Sequence, residues 1–129
     1  MPKFGNASKQ RLATCHPDLQ AVCNELIKYM DFSILCGHRG QTEQNTAFRE
    51  GTSNLSFPKS AHNSFPSHAV DLVPYPVDWS NLARFHQLHG AFVVVAAQLK
   101  ERGQIKSEFN WGGEWKNFPD YPHYEIKEK

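Results

Sequence analysis

The chain has 129 residues, with 14 Lys+Arg against 13 Asp+Glu, a formal net charge of +1, 40% hydrophobic residues, seven His and three Cys. A chain of this length sustains one hydrophobic core, so a single domain over residues 1–129 is expected and a second independent one is excluded. The few cysteines, odd in number, exclude a disulfide scaffold, and the near-neutral charge speaks against the basic surface that nucleic acid needs.

In chain order, Asn6 or Ser8 is placed to cap a short helix reaching Ala13. Pro17 suits the first position of the next helix, Asp18 complements its dipole, and Leu19, Val22, Cys23, Leu26 and Met30 form an apolar stripe. Phe32-Ser33-Ile34-Leu35-Cys36 reads as a strand, left through the turn Gly37-His38-Arg39-Gly40. Thr42 opens a helix over residues 43–50 that Gly51 ends. Residues 52–66, rich in Ser, Asn and Pro, predict a long irregular loop, a kind that is often functional in small domains.

Ala69-Val70-Asp71-Leu72-Val73 predicts a buried strand closed by Pro74 and Pro76. The longest helix follows, with Ser80 or Asn81 at its cap, Leu82, Phe85, Leu88, Phe92, Val95, Ala96 and Leu99 on its apolar face, and Gly103 at its end. Glu108-Phe109-Asn110-Trp111 and His123-Tyr124-Glu125-Ile126 predict two short strands. Helices and strands mix without βαβ alternation, which predicts an α+β domain whose short, largely antiparallel sheet packs against helices. The longest apolar run, residues 91–97, falls far short of the ~20 residues that span a bilayer. The N-terminus shows no basic segment followed by an apolar one, so no secretory signal, a cytoplasmic start and no stable membrane association are expected. We expect a monomer.

Two stretches gather metal-type ligands: Ser60-Ala61-His62 leading to Ala69-Val70-Asp71, and Asp120-Tyr121-Pro122-His123-Tyr124-Glu125. Catalytic zinc takes three protein ligands of this kind and keeps a fourth position for water, so His62, Asp71 and His123 would form a His-Asp-His site. Asp120, three residues before His123, is free to act as general base on that water. Strand parity puts His68 on the face opposite Asp71, and Glu125 on the face of His123, where it could orient that imidazole. The site is expected at the sheet edge. Plainer readings stand beside these: a solvated loop histidine at 62, an edge-strand carboxylate at 71, and a C-terminal surface turn for Asp120 and His123.

These residues resemble the zinc peptidases that include D-alanyl-D-alanine carboxypeptidases and the phage L-alanyl-D-glutamate endopeptidases used as endolysins. The phage branch is the more similar, through Phe4-Gly5, Arg11-Leu12-Ala13-Thr14, His16-Pro17-Asp18-Leu19-Gln20, Gly37-x-Arg39, Gln44 and Trp111-Gly112-Gly113-Glu114-Trp115. The resemblance implies Zn2+ on His62, Asp71 and His123, water activation by Asp120, and an Arg39 that stabilises the oxyanion or holds a substrate carboxylate. It implies the peptidoglycan stem peptide as substrate, cut at its L-alanyl-D-glutamate bond. It also implies residence in a host cytoplasm until the membrane is permeabilised at lysis. The alternatives are a D-alanyl-D-alanine carboxypeptidase or a non-catalytic zinc module that binds cell wall.

Two features depart from the simplest pattern. Eight residues separate His62 from Asp71, with Phe65-Pro66 as the apparent insertion, and the base is Asp, not Glu. Arg39 could instead pair with Glu43, four residues on. Trp111 and Trp115 read as core or pocket wall, with a glycan platform as the alternative. The cysteines read as small core hydrophobes, and His16, His38, His86 and His89 as ordinary surface or packing residues.

Overall fold

A computed structural model describes residues 2–128; Met1 and Lys129, the ends of the expected domain, lie outside the described residues. Helices α1 (Asn6–Leu12), α2 (Pro17–Leu26), α3 (Gln41–Arg49) and α4 (Leu82–Glu101) accompany strands β1 (Phe32–Cys36), β2 (Ala69–Pro74), β3 (Phe109–Trp111) and β4 (His123–Ile126). The strands form one antiparallel sheet in the order β1-β2-β4-β3. The domain is therefore α+β, as the mixed element order predicts. Among the described residues, no helix is long and apolar enough to cross a membrane.

The core forms where the periodic stripes meet. Leu19, Val22, Cys23 and Leu26 of α2 face Phe85, Leu88, Phe92, Val95 and Leu99 of α4, and Val70, Leu72 and Tyr124 of the central strands join them. Burying such a side chain contributes about 1.5–3 kcal/mol, so this apolar contact fixes the helices on the sheet.

Several element ends differ from the sequence reading, each for a local reason. Gly5, not Asn6 or Ser8, is the N-cap of α1; Ser8 lies inside the helix, where its buried hydroxyl accepts the Ile34 N–H at 3.0 Å and ties α1 to β1. Helix α2 stops at Leu26, and Met30 packs on the core from the turn beyond it. Helix α3 begins at Gln41, because Gly40 is its cap and Glu43 reaches back to accept the Gly40 N–H. Gly51 and Gly103, each with positive φ, close α3 and α4 as expected. The irregular stretch before β2 holds a 3₁₀ turn at Ala61–Asn63.

A bulge in β1 reorients the end of that strand. Ile34 pairs with Leu72 and Cys36 with Asp71, so Leu35 is an extra residue in β1. An extra residue reverses side-chain parity beyond it, which puts Cys36 on the face of Asp71 and away from that of Ile34.

A polar anchor holds α2 against the segment that leads into β3. Asp18 accepts the backbone N–H groups of Lys106 (3.2 Å) and Ser107 (3.0 Å) and the Ser107 hydroxyl (2.6 Å). Partial burial works against its charge, but these donors outweigh it and hold the carboxyl below its ordinary value. A lowered folded-state pKa gives stability that is present above the unfolded value of ~3.9 and lost as pH falls through the folded one. Asp18→Ala is expected to lower stability by about 1–2 kcal/mol at pH 7. Thermal denaturation at stepwise lower pH should show that difference shrinking once the wild-type carboxyl is protonated.

Candidate active site

Three strands contribute neighbouring positions in one row: Cys36 of β1 pairs with Asp71 of β2, which pairs with His123 of β4. The row lies where β1 ends and β4 begins. The expected sheet-edge position is thus an end of the sheet on its two central strands, not an edge strand. His62 joins from the 3₁₀ turn, where the Ser60 hydroxyl accepts the His62 N–H at 3.2 Å and Asn63 Oδ1 accepts the Ser60 N–H at 3.0 Å.

Asp71 is the hub. Its Oδ1 lies 3.2 Å from His62 Nε2 and 3.3 Å from His123 Nδ1, and its Oδ2 lies 3.6 Å from an Arg39 guanidinium nitrogen. The imidazoles are oriented from behind: His62 Nδ1 is 2.7 Å from the Gly37 carbonyl, and His123 Nε2 is 2.6 Å from Glu125 Oε1. With Nδ1–H donated to Gly37, Nε2 is the His62 nitrogen that faces the carboxylate. Gly37 can serve this way because it lies hard against α1; a Cβ there would collide with the Arg11 carbonyl, Thr14 and Cys15.

Asp120 enters through the turn before β4. His123 N–H donates to the Asp120 carbonyl at 3.1 Å, and Asp120 N–H donates to the Gly112 carbonyl at 2.9 Å. A Cβ on Gly112 would strike Asp120, so this glycine permits the close approach. One donor atom each from Asp71, Asp120 and His123 lie within 4.8 Å of one another, as do donors from Cys36, His62 and Asp71. The tight turn thus supplies the reach that an Asp in this position lacks by its own length.

The electrostatics follow from burial around one carboxylate. Burial opposes charge on Asp71, yet His62 and His123 hold its pKa far below the carboxylate range. Burial also opposes protonation of His62, but Asp71 and Cys36 push it up to about 10; His123 is raised, against burial, by Asp71 and Glu125. Burial raises Asp120, aided by Asp71, against the lowering effect of His123, His62 and Arg39. The cluster is a buried anion that draws positive charge to itself. Two imidazoles and a carboxylate with oriented lone pairs form a donor set that fits a divalent zinc-type cation in place of those protons.

Arg39 is built in. It pairs with Asp71 and not with Glu43, which caps α3. Its guanidinium also donates to Gln44 Oε1 at 3.0 Å. Gln44 is fully buried; its amide donates to Ser53 Oγ (3.0 Å) and the Leu55 carbonyl (2.6 Å), and Asn63 donates to its Oε1 at 3.2 Å. The sequence reading used Gln44 only as a motif match and missed this position.

It also missed Cys36. Cys15 and Cys23 are core thiols, and burial pushes Cys15 up to about 12. Cys36 instead faces His62 and Arg39; burial raises its thiol, but contact with His62 lowers it below the ordinary value overall. His68 is turned away, paired with Glu128 at 2.7 Å. His16 caps α2, and His38 contacts the Ser64 carbonyl. His89 stacks on buried Trp111 with ring centroids 4.0 Å apart, and His86 packs edge-on to the same indole. Trp115 contacts the His123 ring at 4.9 Å and forms pocket wall.

The cluster opens into a cavity of about 520 Å³ lined by Arg39, His62, Asp71, Asp120 and His123 together with apolar and hydroxyl side chains. That volume is within the range of small-ligand sites, ~300–1,000 Å³. A buried carboxylate with oriented imidazoles, a second acid and a fixed guanidinium, all facing one cleft, is an arrangement suited to hydrolysis.

A family profile described as phage L-alanyl-D-glutamate peptidase matches residues 1–129. The L-alanyl-D-glutamate peptidase of Escherichia phage T5 is 41% identical over 134 residues, covering 97% of this chain and 89% of that protein. The crystal structure of the Serratia marcescens L-Ala D-Glu endopeptidase ChiX matches with a TM-score of 0.76 at 30% identity, covering 97% of this chain and 90% of that one. With a profile match along its whole length and a relative of this identity, the chain belongs to the phage L-alanyl-D-glutamate peptidase family.

Proposed function

We propose that this protein is a zinc-dependent peptidoglycan peptidase that hydrolyses the L-alanyl-D-glutamate bond of the stem peptide, acting as a phage endolysin. The convergence of His62, His123 and Arg39 on Asp71, with Asp120 beside them in an open cleft, carries the reading, and the activity by which the family is described supports the choice of bond. The enzyme would reach the wall from a host cytoplasm once the membrane is permeabilised.

His62, Asp71 and His123 would hold the ion, which when bound supplies Lewis acidity to a water and to the scissile carbonyl. Gly37 and Glu125 keep the two imidazoles aimed and their outer nitrogens occupied. Asp120 accepts a proton from the attacking water and returns it to the leaving amine. Its raised pKa makes it a stronger base than a solvated carboxylate. Arg39, fixed by Gln44, presents positive charge to the carbonyl oxygen as that oxygen becomes anionic. A purely structural zinc site would be closed by a fourth ligand and would have no use for a free acid and a guanidinium.

Digestion of purified peptidoglycan by the zinc-loaded protein, read by mass spectrometry, tests the bond. New D-glutamyl or D-isoglutaminyl amino ends are expected; release of free D-alanine would assign a carboxypeptidase, and tight wall binding without new ends a non-catalytic module. Asp120→Ala is expected to retain about one zinc per chain by elemental analysis while losing about 10²–10⁴-fold in hydrolysis rate. His62→Ala should lose the metal itself. Full wall hydrolysis by metal-stripped protein would contradict the scheme.

Gln44 supplies a separate check. Gln44→Leu removes the acceptor shared by Arg39 and Asn63 and one of the two donors to the Leu55 carbonyl, an expected cost of about 1–3 kcal/mol in stability. Hydrolysis should fall while zinc stoichiometry stays that of wild type, because the defect lies in the guanidinium's aim.

A further inference from the structure

One wall of the cleft has no part in the hydrolytic chemistry. Between β2 and α4 the chain exposes Tyr75 (56%), Val77 (48%) and Trp79 (55%), and α4 opens on exposed Leu82 (43%). The loop is nonetheless held in shape. Asp78 Oδ1 accepts the Ser80 N–H at 3.1 Å and its hydroxyl at 2.6 Å, and the Arg84 guanidinium donates to the Pro76 carbonyl. Trp79 stacks on buried Phe85 with ring centroids 5.8 Å apart at 24°, and Phe85 meets Tyr121 at 6.3 Å. An aromatic run therefore leads from a water-facing indole to the segment that carries Asp120 and His123. Trp79 and Leu82 line the same cavity as Asp71 and His123. An apolar surface displayed on a fixed loop and continuous with a catalytic cleft is complementary to a part of the substrate.

The substrate's own chemistry says which part. The L-alanyl-D-glutamate bond joins the first two residues of the stem peptide, and that L-alanine is carried on the lactyl group of N-acetylmuramic acid. The acyl side of the scissile bond is therefore a methyl group followed by a sugar ring, whereas the amine side carries a carboxylate. The cleft has walls to match. Trp79, Leu82, Phe85 and Tyr121 form an apolar one; Thr52, Ser53 and Asn54 offer hydroxyls and an amide.

We propose that Trp79 is the platform for the N-acetylmuramoyl sugar, stacking the ring's C–H face on its indole with Leu82 alongside. The D-glutamyl side then lies toward the hydroxyl wall. The enzyme thereby prefers stem peptides still attached to glycan. This inference rests on the L-alanyl-D-glutamate reading. An anionic lipid surface is the poorer occupant, since residues 75–82 contain Asp78 and neither Lys nor Arg.

The test compares kcat/KM of the zinc-loaded protein on N-acetylmuramoyl-L-alanyl-D-isoglutamine and on N-acetyl-L-alanyl-D-isoglutamine, in wild type, Trp79→Ala and Trp79→Phe. Wild type should prefer the sugar-bearing substrate by about five- to tenfold, the scale of one aromatic contact. Trp79→Ala should bring the ratio near parity, and Trp79→Phe should keep most of the preference. Calorimetric binding of N-acetylmuramoyl-L-alanine to Asp120→Ala protein should weaken by a similar factor when Trp79→Ala is added. Equal rates on both substrates in wild type, or a preference that survives Trp79→Ala, overturns the platform and leaves the bond assignment intact. Cleavage of neither substrate by zinc-bound protein overturns the bond assignment and the platform with it. Binding to phosphatidylglycerol vesicles that Trp79→Ala abolishes, with the substrate ratio unchanged, assigns the loop to lipid and overturns the proposal.

Discussion

A single carboxylate, that of Asp71, organises the functional half of this molecule. It is only 16% exposed, and it sits within 3.6 Å of His62, His123 and Arg39. An isolated carboxylate at such a site would be costly, and the compensation must come from groups of opposite charge with good geometry. Each of those groups arrives from a different part of the chain. His123 comes by strand register, His62 through a 3₁₀ turn, and Arg39 from the turn after β1. The fold can be read as the scaffold that brings three distant segments to one oxygen pair.

That scaffold is more exact behind the site than within it. The nitrogens facing away from Asp71 meet Gly37 and Glu125 at 2.7 and 2.6 Å, shorter than the contacts to Asp71 itself. Rigid backing with looser contacts in front is what a cation site requires, because the donors must already be aimed before the ion replaces the protons between them. Gln44 plays the same part for Arg39, with both ends of its amide engaged in a fully buried position. Removing such a group harms aim and stability together, whereas the cleft-facing groups can change with less effect on the fold.

The sequence carried the elements and most of the cluster for reasons that are local. Pro17, Gly51 and Gly103 mark helix ends by their own backbone preferences, and the apolar run around Asp71 marks a strand that cannot tolerate an unpartnered carboxylate. Parity along β4 places Glu125 beside His123, and parity along β2 turns His68 away, as found. What the sequence hid depends on distant contacts. Cys36 reads as a core residue by strict alternation, and the bulge at Leu35 reverses its face. Gln44 looks like one polar residue on a polar helix until Leu55, eleven residues on, closes over it. Trp79 carries no pattern at all, and its place follows only from where the loop before α4 meets the cleft.

In the proposed mechanism His62, Asp71 and His123 share one metal ion while Asp120 stays free of it. Anomalous diffraction at the zinc edge from crystals of the zinc-loaded protein tests this most directly. A single strong peak bonded to His62 Nε2, an Asp71 oxygen and His123 Nδ1, with Asp120 nearby but not bonded, is the expected result. A peak held by Cys36 or Asp120 in place of one of those ligands, or the absence of any peak from protein that still degrades peptidoglycan, would contradict it.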